Sequence, residues 1–240
     1  RKDVRIGDWV IIERAGDVIP HVVGPVLDRR TGEETEFEVP EVCPVCGTRV
    51  VKPEDEAMHR CPNTSCPAQF FELLKHFVSK GAMDIDGLGE QWCRILIDQK
   101  LVSDLSDLYK LKKSQFLELD RMGEKLADKI IGNIEASKKR PLHRLFFALG
   151  ILHVGSEVAE LLAQRYGNMA ELAAATEEQL TQLSGIGPKI AESVVAYFAL
   201  EHYTDVLEGL SAAGVDPQNE IIEVDPGQMP WLGLTFVVTG

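Results

Sequence analysis

The chain has 240 residues, 45% of them apolar, and carries a formal net charge of -13. This apolar content excludes global disorder, and no run reaches the roughly 20 apolar residues of a membrane span. The first residues lack the apolar core of a secretory signal, so we expect a soluble, cytoplasmic protein. The net charge alone argues against nucleic-acid binding, but the charge is segregated. Residues 107–145 hold 10 Lys or Arg against six acids, whereas residues 201–226 hold seven acids and no Lys or Arg.

The first predicted elements are short strands within residues 4–27. Turn residues at 7–8 and 15–17 separate apolar runs at 9–13 and 18–23, as in a β hairpin or meander. A hairpin of this length cannot bury a core of its own. It is therefore either a lobe of a larger module or a truncated one, and the polar residues 28–40 form a connector.

Four cysteines follow, in two close pairs separated by 14 residues. The pairs are Cys43 with Cys46, and Cys61 with Cys66. In a chain without a signal sequence this spacing indicates a structural zinc site rather than disulfides, because each pair can hold the ion from one turn. Four buried cysteines without metal are the alternative. His59 lies between the pairs, but four cysteines already complete a tetrahedral shell.

The most regular feature is a repeat of four short segments that align without gaps. The segments end at glycines 34, 32 and 32 residues apart, namely Gly89, Gly123, Gly155 and Gly187. Apolar residues stand four and one positions before each of these glycines, and a small residue stands four after it. The small residues are Cys93, Ala127, Ala159 and Ala191, so we expect Cys93 to serve packing. Apolar residues at +3 and +7 predict an amphipathic helix after every glycine.

The repeats resemble the helix-hairpin-helix family, whose core motif is best kept in residues 85–89 and 183–187. Glycine at both motif positions, as in Gly87 and Gly89, permits positive φ and lets backbone N–H groups approach a phosphate. The predicted DNA contacts are the motif glycines and two lysines near the helix starts: Gly87, Gly89, Gly123, Lys125, Gly155, Gly185, Gly187 and Lys189. Repeats two and three have Arg121 and His153 instead of the first glycine, so they either bind less closely or pair the units.

Two further interpretations of the same residues remain open. The glycines could merely form turns that join antiparallel helices in a bundle. The basic run at residues 138–140 is either a solvated helix end or a phosphate contact.

The order of these modules resembles the C-terminal half of a bacterial NAD-dependent DNA ligase, and the likeness covers essentially the whole chain. The resemblance implies a multidomain, mainly α protein: a tandem helix-hairpin-helix bundle preceded by a partial OB-like β module and a zinc finger. The implied parts are the end of an OB-fold domain (1–40), a four-cysteine zinc finger (41–68), four hairpins (69–215), a linker (216–230) and the start of a BRCT domain (231–240).

In this family a lysine of a K-x-D-G motif takes AMP from NAD and passes it to a 5′-phosphate at a nick. The chain has no such motif, since Asp84 stands where Asp86-Gly87 would need lysine. The resemblance implies that the adenylation domain, with its NAD and Mg²⁺, lies upstream of Arg1. We expect the chain to be a monomeric segment that grips nicked double-stranded DNA in a bacterial nucleoid and does not contact membranes.

Two other functions fit parts of the pattern. A non-catalytic DNA-binding adaptor of a repair nuclease could carry the same modules. A base-excision glycosylase has a similar hairpin, but only one copy followed by a catalytic aspartate, which fits four tandem copies and a zinc site poorly.

Overall fold

The computed structural model describes residues 2–15, 19–52, 58–63 and 65–219. The chain divides into two compact units, Arg1–Pro67 and Ala68–Gly240. The predicted BRCT start at 231–240 lies outside the described residues, as does most of the predicted linker.

The first unit begins with the predicted β hairpin. Strands β1 (Val10–Ala15) and β2 (Ile19–Pro25) pair antiparallel, with a register irregularity between Ile11 and Ile12. A short 3-10 helix follows at Leu27–Arg29. In the described residues before Cys43 every apolar side chain is at least partly exposed, and Trp9 is 63% exposed. The hairpin thus has no core of its own, as its length predicts.

An ion pair holds the base of this hairpin together. The guanidinium of Arg30 donates from Nε and Nη2 to both carboxylate oxygens of Asp8, at 2.7 and 2.8 Å. This contact holds the pKa of Asp8 at about 2. The same carboxylate accepts the backbone N–H of Arg5 across a turn in which Gly7 has a φ of +95°. Charged hydrogen bonds therefore replace apolar burial in this segment.

The second unit is helical throughout its described part, as the repeats predict. None of the helices in the described ranges is both long and apolar enough to cross a membrane. The helices are α1 (Pro67–Val78), α2 (Glu90–Asp98), α3 (Lys113–Leu117), α4 (Glu124–Ser137), α5 (Leu142–Ala148), α6 (Ser156–Arg165), α7 (Met169–Ala173), α8 (Glu177–Thr181), α9 (Pro188–Phe198) and α10 (Glu201–Ala212), with a 3-10 helix at Ser106–Lys110.

One apolar core runs through this unit, and the repeat register decides which residues enter it. The small residue four positions after each hairpin glycine is fully buried, as is the apolar residue seven positions after it. The buried residues at +7 are Leu96, Ile130, Leu162 and Val194. The +3 residues are half-buried at the edge of the same face. Each helix after a hairpin therefore contributes one stripe to the common core.

Glycine, proline and acidic residues are frequent from Gly214 onwards, as is typical of a linker, but the first of these residues are packed. Gly214 has a φ of +84° and ends the helix, because its N–H donates to Ser211 and the N–H of Val215 donates to Leu210. Val215 is buried, and the amide of Asn219 donates to the carbonyl of Ala163 at 3.1 Å. The described residues up to 219 are therefore packed on the helices.

Candidate metal centre and nucleic-acid interface

The four predicted cysteines form one cluster. The Sγ atoms of Cys43, Cys46, Cys61 and Cys66 all lie within 4.8 Å of one another. The Sγ of Cys43 is 3.9 Å from that of Cys66, and the Sγ of Cys46 is 3.5 Å from that of Cys61. Four thiolates about 2.3 Å from one zinc ion lie roughly 3.8 Å apart, so the cluster matches a tetrahedral site. His59 is exposed and lies outside this group.

Local backbone turns position the two pairs. The N–H of Gly47, with a φ of +71°, donates to the carbonyl of Cys43, and the N–H of Cys43 donates to Thr48. In the second pair the N–H of Cys66 donates to the carbonyl of Asn63. The hydroxyl of Thr48 lies 3.3 Å from the Sγ of Cys46, and hydrogen bonds with Thr48 lower the pKa of this thiol to about 6. This favours the thiolate form at Cys46, whereas burial and the neighbouring thiols of Cys46 and Cys43 raise the pKa of Cys61 to about 11.

The fifth cysteine belongs to the core, as predicted. Cys93 is fully buried in α2, at the position that holds alanine in the other repeats. Burial raises the pKa of its thiol to about 11, which keeps it protonated and unreactive.

All four hairpins have the same turn geometry. In each, the N–H of the residue before the last glycine donates to the carbonyl three residues earlier, as from Leu88 to Ile85 and from Ile186 to Leu183. The residue at the first-glycine position always has a positive φ, between 64° and 100°. It is a glycine in repeats one and four but Arg121 and His153 in repeats two and three. The second and third hairpins thus keep the backbone shape although they lack the first glycine.

The last glycine of each hairpin has a different role from the first. Gly89, Gly123, Gly155 and Gly187 are the N-caps of α2, α4, α6 and α9, with φ between -88° and -71°. The positive φ that glycine permits at both motif positions is therefore used only at the first. A Cβ added at any of these four positions would meet nothing within 4 Å. Neither backbone conformation nor packing requires glycine there.

These four helix starts also lack a side-chain cap. Of the helices that do not directly follow a hairpin, α7 and α8 have one, whereas α5 and α10 begin at Pro141 and Leu200 without one. Asn168 accepts the N–H of Glu171 at the start of α7, and Thr176 accepts the N–H of Gln179 at the start of α8. The helices after the hairpins therefore begin with exposed backbone N–H groups, where the partial positive charge of a helix is concentrated.

Side-chain cations are placed around the hairpins in two ways. Lys125 and Lys189 are exposed, in the first turns of α4 and α9, as the sequence predicts. Two residues of the basic run at 138–140 are used internally: Arg140 donates to Asp84 at 2.6 Å and to the carbonyl of Met83 at 3.3 Å. Lys138 pairs with Glu135. Arg140 therefore braces the first hairpin instead of offering a free charge.

The fold and the two sites define a helix-hairpin-helix protein with a four-cysteine zinc finger. Three family models match the chain and agree with this class. They are the NAD-dependent DNA ligase OB-fold domain at residues 1–34, the NAD-dependent DNA ligase C4 zinc finger domain at 42–68, and the helix-hairpin-helix motif at 144–207.

Curated relatives align with the whole chain. A DNA ligase of Dehalococcoides mccartyi (strain CBDB1) is 50% identical, one of Geobacter sulfurreducens 48%, and one of Symbiobacterium thermophilum 45%. Each alignment covers 100% of this chain but only 37%, 35% and 36% of the relative, respectively. The chain is therefore similar along its whole length to part of these DNA ligases, carries two NAD-dependent DNA ligase domains, and spans a little over a third of the length of these relatives.

Proposed function

We propose that the chain is the DNA-binding segment of an NAD-dependent DNA ligase that seals nicks in duplex DNA during replication and repair. Its hairpins bind the sugar-phosphate backbone through amide groups, at Gly87, Gly89, Gly123, Gly155, Gly185 and Gly187, with Lys125 and Lys189 adding charge. Binding is then largely independent of sequence, because phosphate contacts position a protein on DNA but do not read bases.

The four helix starts at bare, unobstructed glycines in one register carry this proposal. Helices α7 and α8 use Asn168 and Thr176 as caps, whereas the four helices after hairpins begin at bare glycines with open space beside them. A side-chain cap would occupy the N–H groups that an anion needs. Four uncapped starts in one register fit a ligand with regularly repeated anions, which explains how an acidic chain binds DNA. Turns in a simple bundle would not need the open space.

In the first unit, Cys43, Cys46, Cys61 and Cys66 hold one zinc ion, which has a structural role because four thiolates leave no position for a catalytic water. The remaining boundaries follow the resemblance: an OB-fold part at 1–40, a finger at 41–68, the hairpin domain at 69–215, a linker at 216–230 and a BRCT start at 231–240. The parent enzyme binds NAD and Mg²⁺ outside this chain, and acts as a monomer in the cytoplasm, associated with the nucleoid.

Glycine substitutions test the amide contacts. Gly187→Val and Gly89→Val each add a side chain where the phosphate approaches, with no backbone strain because both residues have negative φ. We expect each to weaken binding to nicked duplex by roughly 1–3 kcal/mol, the scale of a lost hydrogen bond to a charged group. The measurement is fluorescence anisotropy at one fixed salt concentration, with folding checked by circular dichroism.

Gly132→Val is the matched control. Gly132 lies within α4, is not at positive φ, and has nothing within 4 Å of an added Cβ. It is nine residues beyond Gly123, or roughly 14 Å along the helix. It should leave DNA affinity unchanged. Gly214 is unsuitable as a control because its φ of +84° would strain valine. Equal affinities for all three variants would mean that the hairpins are only turns.

A second experiment tests the assignment to a ligase rather than to a nuclease adaptor. The full-length parent should seal nicks with NAD and not with ATP, and the isolated chain should form no covalent adenylate with labelled NAD, since it has no K-x-D-G lysine. A labelled lysine in this chain, or a parent that binds nicked DNA without sealing it, would contradict the proposal.

A further inference from the structure

The two outer hairpins, the first and the fourth, differ from the two inner ones in the space around the first glycine position of the motif. A Cβ added to Gly87 of the first hairpin would lie 2.9 Å from Cγ1 of Ile130 in α4, the helix after the second hairpin. A Cβ added to Gly185 of the fourth hairpin would lie 3.0 Å from Cδ1 of Leu161 in α6, the helix after the third. The first and fourth hairpins thus rest on their neighbours' helices, and a side chain at their first position would force Ile130 or Leu161 to shift.

The second and third hairpins have space at this position, and it holds side chains that are cationic or can become so. Arg121 and His153 are exposed, with φ of 64° and 66°. Within the described ranges neither side chain makes a hydrogen bond or an ion pair. Non-glycine residues are uncommon at such φ, and glycine would be the unstrained choice.

The acidic side chains around the second hairpin indicate a role for Arg121. Its hairpin exposes Asp120 immediately before it and Glu124 at the first position of α4. Both carboxylates would repel a phosphate at this helix start. In the first hairpin the corresponding Asp86 is already paired with Lys129 at 2.6 Å. Arg121 adjoins Asp120 in sequence and, together with Lys125 next to Glu124, can offset the two acids at the second hairpin.

We propose that Arg121 and His153 contact DNA phosphates directly, so that the two inner hairpins bind through a side chain and amides together. At this position of the motif the outer hairpins offer amides alone. This inference rests on the proposed DNA binding of the hairpins. It replaces the expectation that the second and third hairpins bind less closely because they lack a glycine.

Replacement by glycine is the informative test, because glycine suits positive φ and removes only the side chain. Arg121→Gly should leave the melting temperature unchanged or raise it, yet weaken binding to nicked duplex about tenfold. The slope of log affinity against log salt should fall by about one, as for one lost phosphate contact. His153→Gly should weaken binding about threefold, with a smaller change of slope.

Two matched variants separate contact from general charge and from folding. Lys100→Gly also removes an exposed cation from a positive φ, 55°, but at the far end of α2 from its hairpin, so affinity should not change. Arg121→Lys keeps the charge, and Lys100 shows that lysine is accommodated at such a φ. Arg121→Lys should retain most of the affinity. If Arg121→Gly lowers the melting temperature, this variant still shows whether the charge at position 121 contributes to binding.

The results distinguish a failure of the proposed DNA binding from a failure of the inference about Arg121 and His153. If the unmodified chain binds no DNA, or Gly187→Val binds as well as the unmodified chain, the proposed function fails. If Gly187→Val weakens binding but Arg121→Gly and His153→Gly behave like Lys100→Gly, only the present inference is overturned. It is also overturned if Arg121→Lys binds as weakly as Arg121→Gly.

Discussion

The zinc segment (residues 41–66) and the hairpin unit (residues 68–219) hold their folds by different means. In the described part of the zinc segment the buried apolar side chains are two of the clustered cysteines, and the backbone pairing consists of isolated bridges at Val42–Arg49 and Val51–Arg60. The hairpin unit has a continuous core from Phe71 to Val215. The first depends on metal and the second on apolar burial, so each can be disrupted alone.

Removal of the metal should have the largest effect. Binding of structural zinc contributes about 10–16 kcal/mol in small finger peptides and is coupled to their folding. Cys61→Ser or a strong chelator should therefore unfold the zinc segment and leave the hairpin helices intact. Elemental analysis should give one zinc per chain before treatment, and hydrogen exchange should show which residues lose protection.

The matched control is Cys93→Ala, which removes the buried cysteine outside the cluster and installs the residue of the other repeats. Its zinc content should stay at one equivalent. Clearly less than one equivalent in the unmodified chain, unchanged by Cys61→Ser, would mean that the cluster holds no metal and the comparison is wrong.

Truncation of the core should disrupt the opposite region. Ile130→Ala removes a fully buried side chain of α4 and should destabilise the hairpin unit by about 2–5 kcal/mol, with no loss of zinc. Urea denaturation followed by helical circular dichroism measures the change. Leu152→Ala, at a side chain that is 49% exposed, should change the free energy of unfolding by less than about 0.5 kcal/mol. Similar losses for both variants would contradict the assigned core.

Within one hairpin, the two glycines should separate stability from binding. Gly87→Ala forces alanine to a φ of +100° and against Ile130, and should cost about 2 kcal/mol of stability. Gly89→Ala meets open space at negative φ, so its stability should stay within about 0.5 kcal/mol while DNA binding weakens. Paired denaturation and anisotropy measurements test this. Loss of stability in both variants would assign both glycines to folding.

The smallest expected effect concerns the contacts between Arg140 and the residues just before the first hairpin. Arg140→Ala breaks the contacts with Asp84 and with the carbonyl of Met83, but both charged side chains are about a third exposed. We expect a loss of roughly 0.5–1 kcal/mol that shrinks at high salt. Thermal melts at two salt concentrations give the answer. A salt-independent loss would point to packing of the arginine stem instead.

The repeat register predicts much of the hairpin unit. Spacing alone identifies the four helix starts, the buried +4 and +7 residues and the packing role of Cys93, because one helix face must line the core. The cysteine spacing likewise predicts a cluster before any geometry is known. These features depend on local periodicity, which a sequence displays directly.

Features set by tertiary contact are not predictable in this way. Arg121 and His153 adopt the same φ as Gly87, because the hairpin imposes the conformation even where glycine is absent. Residues such as Arg140 look like solvated charge until the first hairpin is placed beside them. The residues around Gly214 have the composition of a linker, because a glycine that ends a helix cannot be told from one in a loose segment by sequence alone.

The bare helix starts have a consequence for how such a chain evolves. Ser, Asp or Asn at Gly89, Gly123, Gly155 or Gly187 would cap its helix and add a few tenths of a kcal/mol to stability. Selection for heat resistance alone would thus favour substitution at all four positions, while selection for activity would oppose it. Stabilised descendants obtained without a functional screen should accumulate caps at these glycines, whereas those screened for nick sealing should keep them.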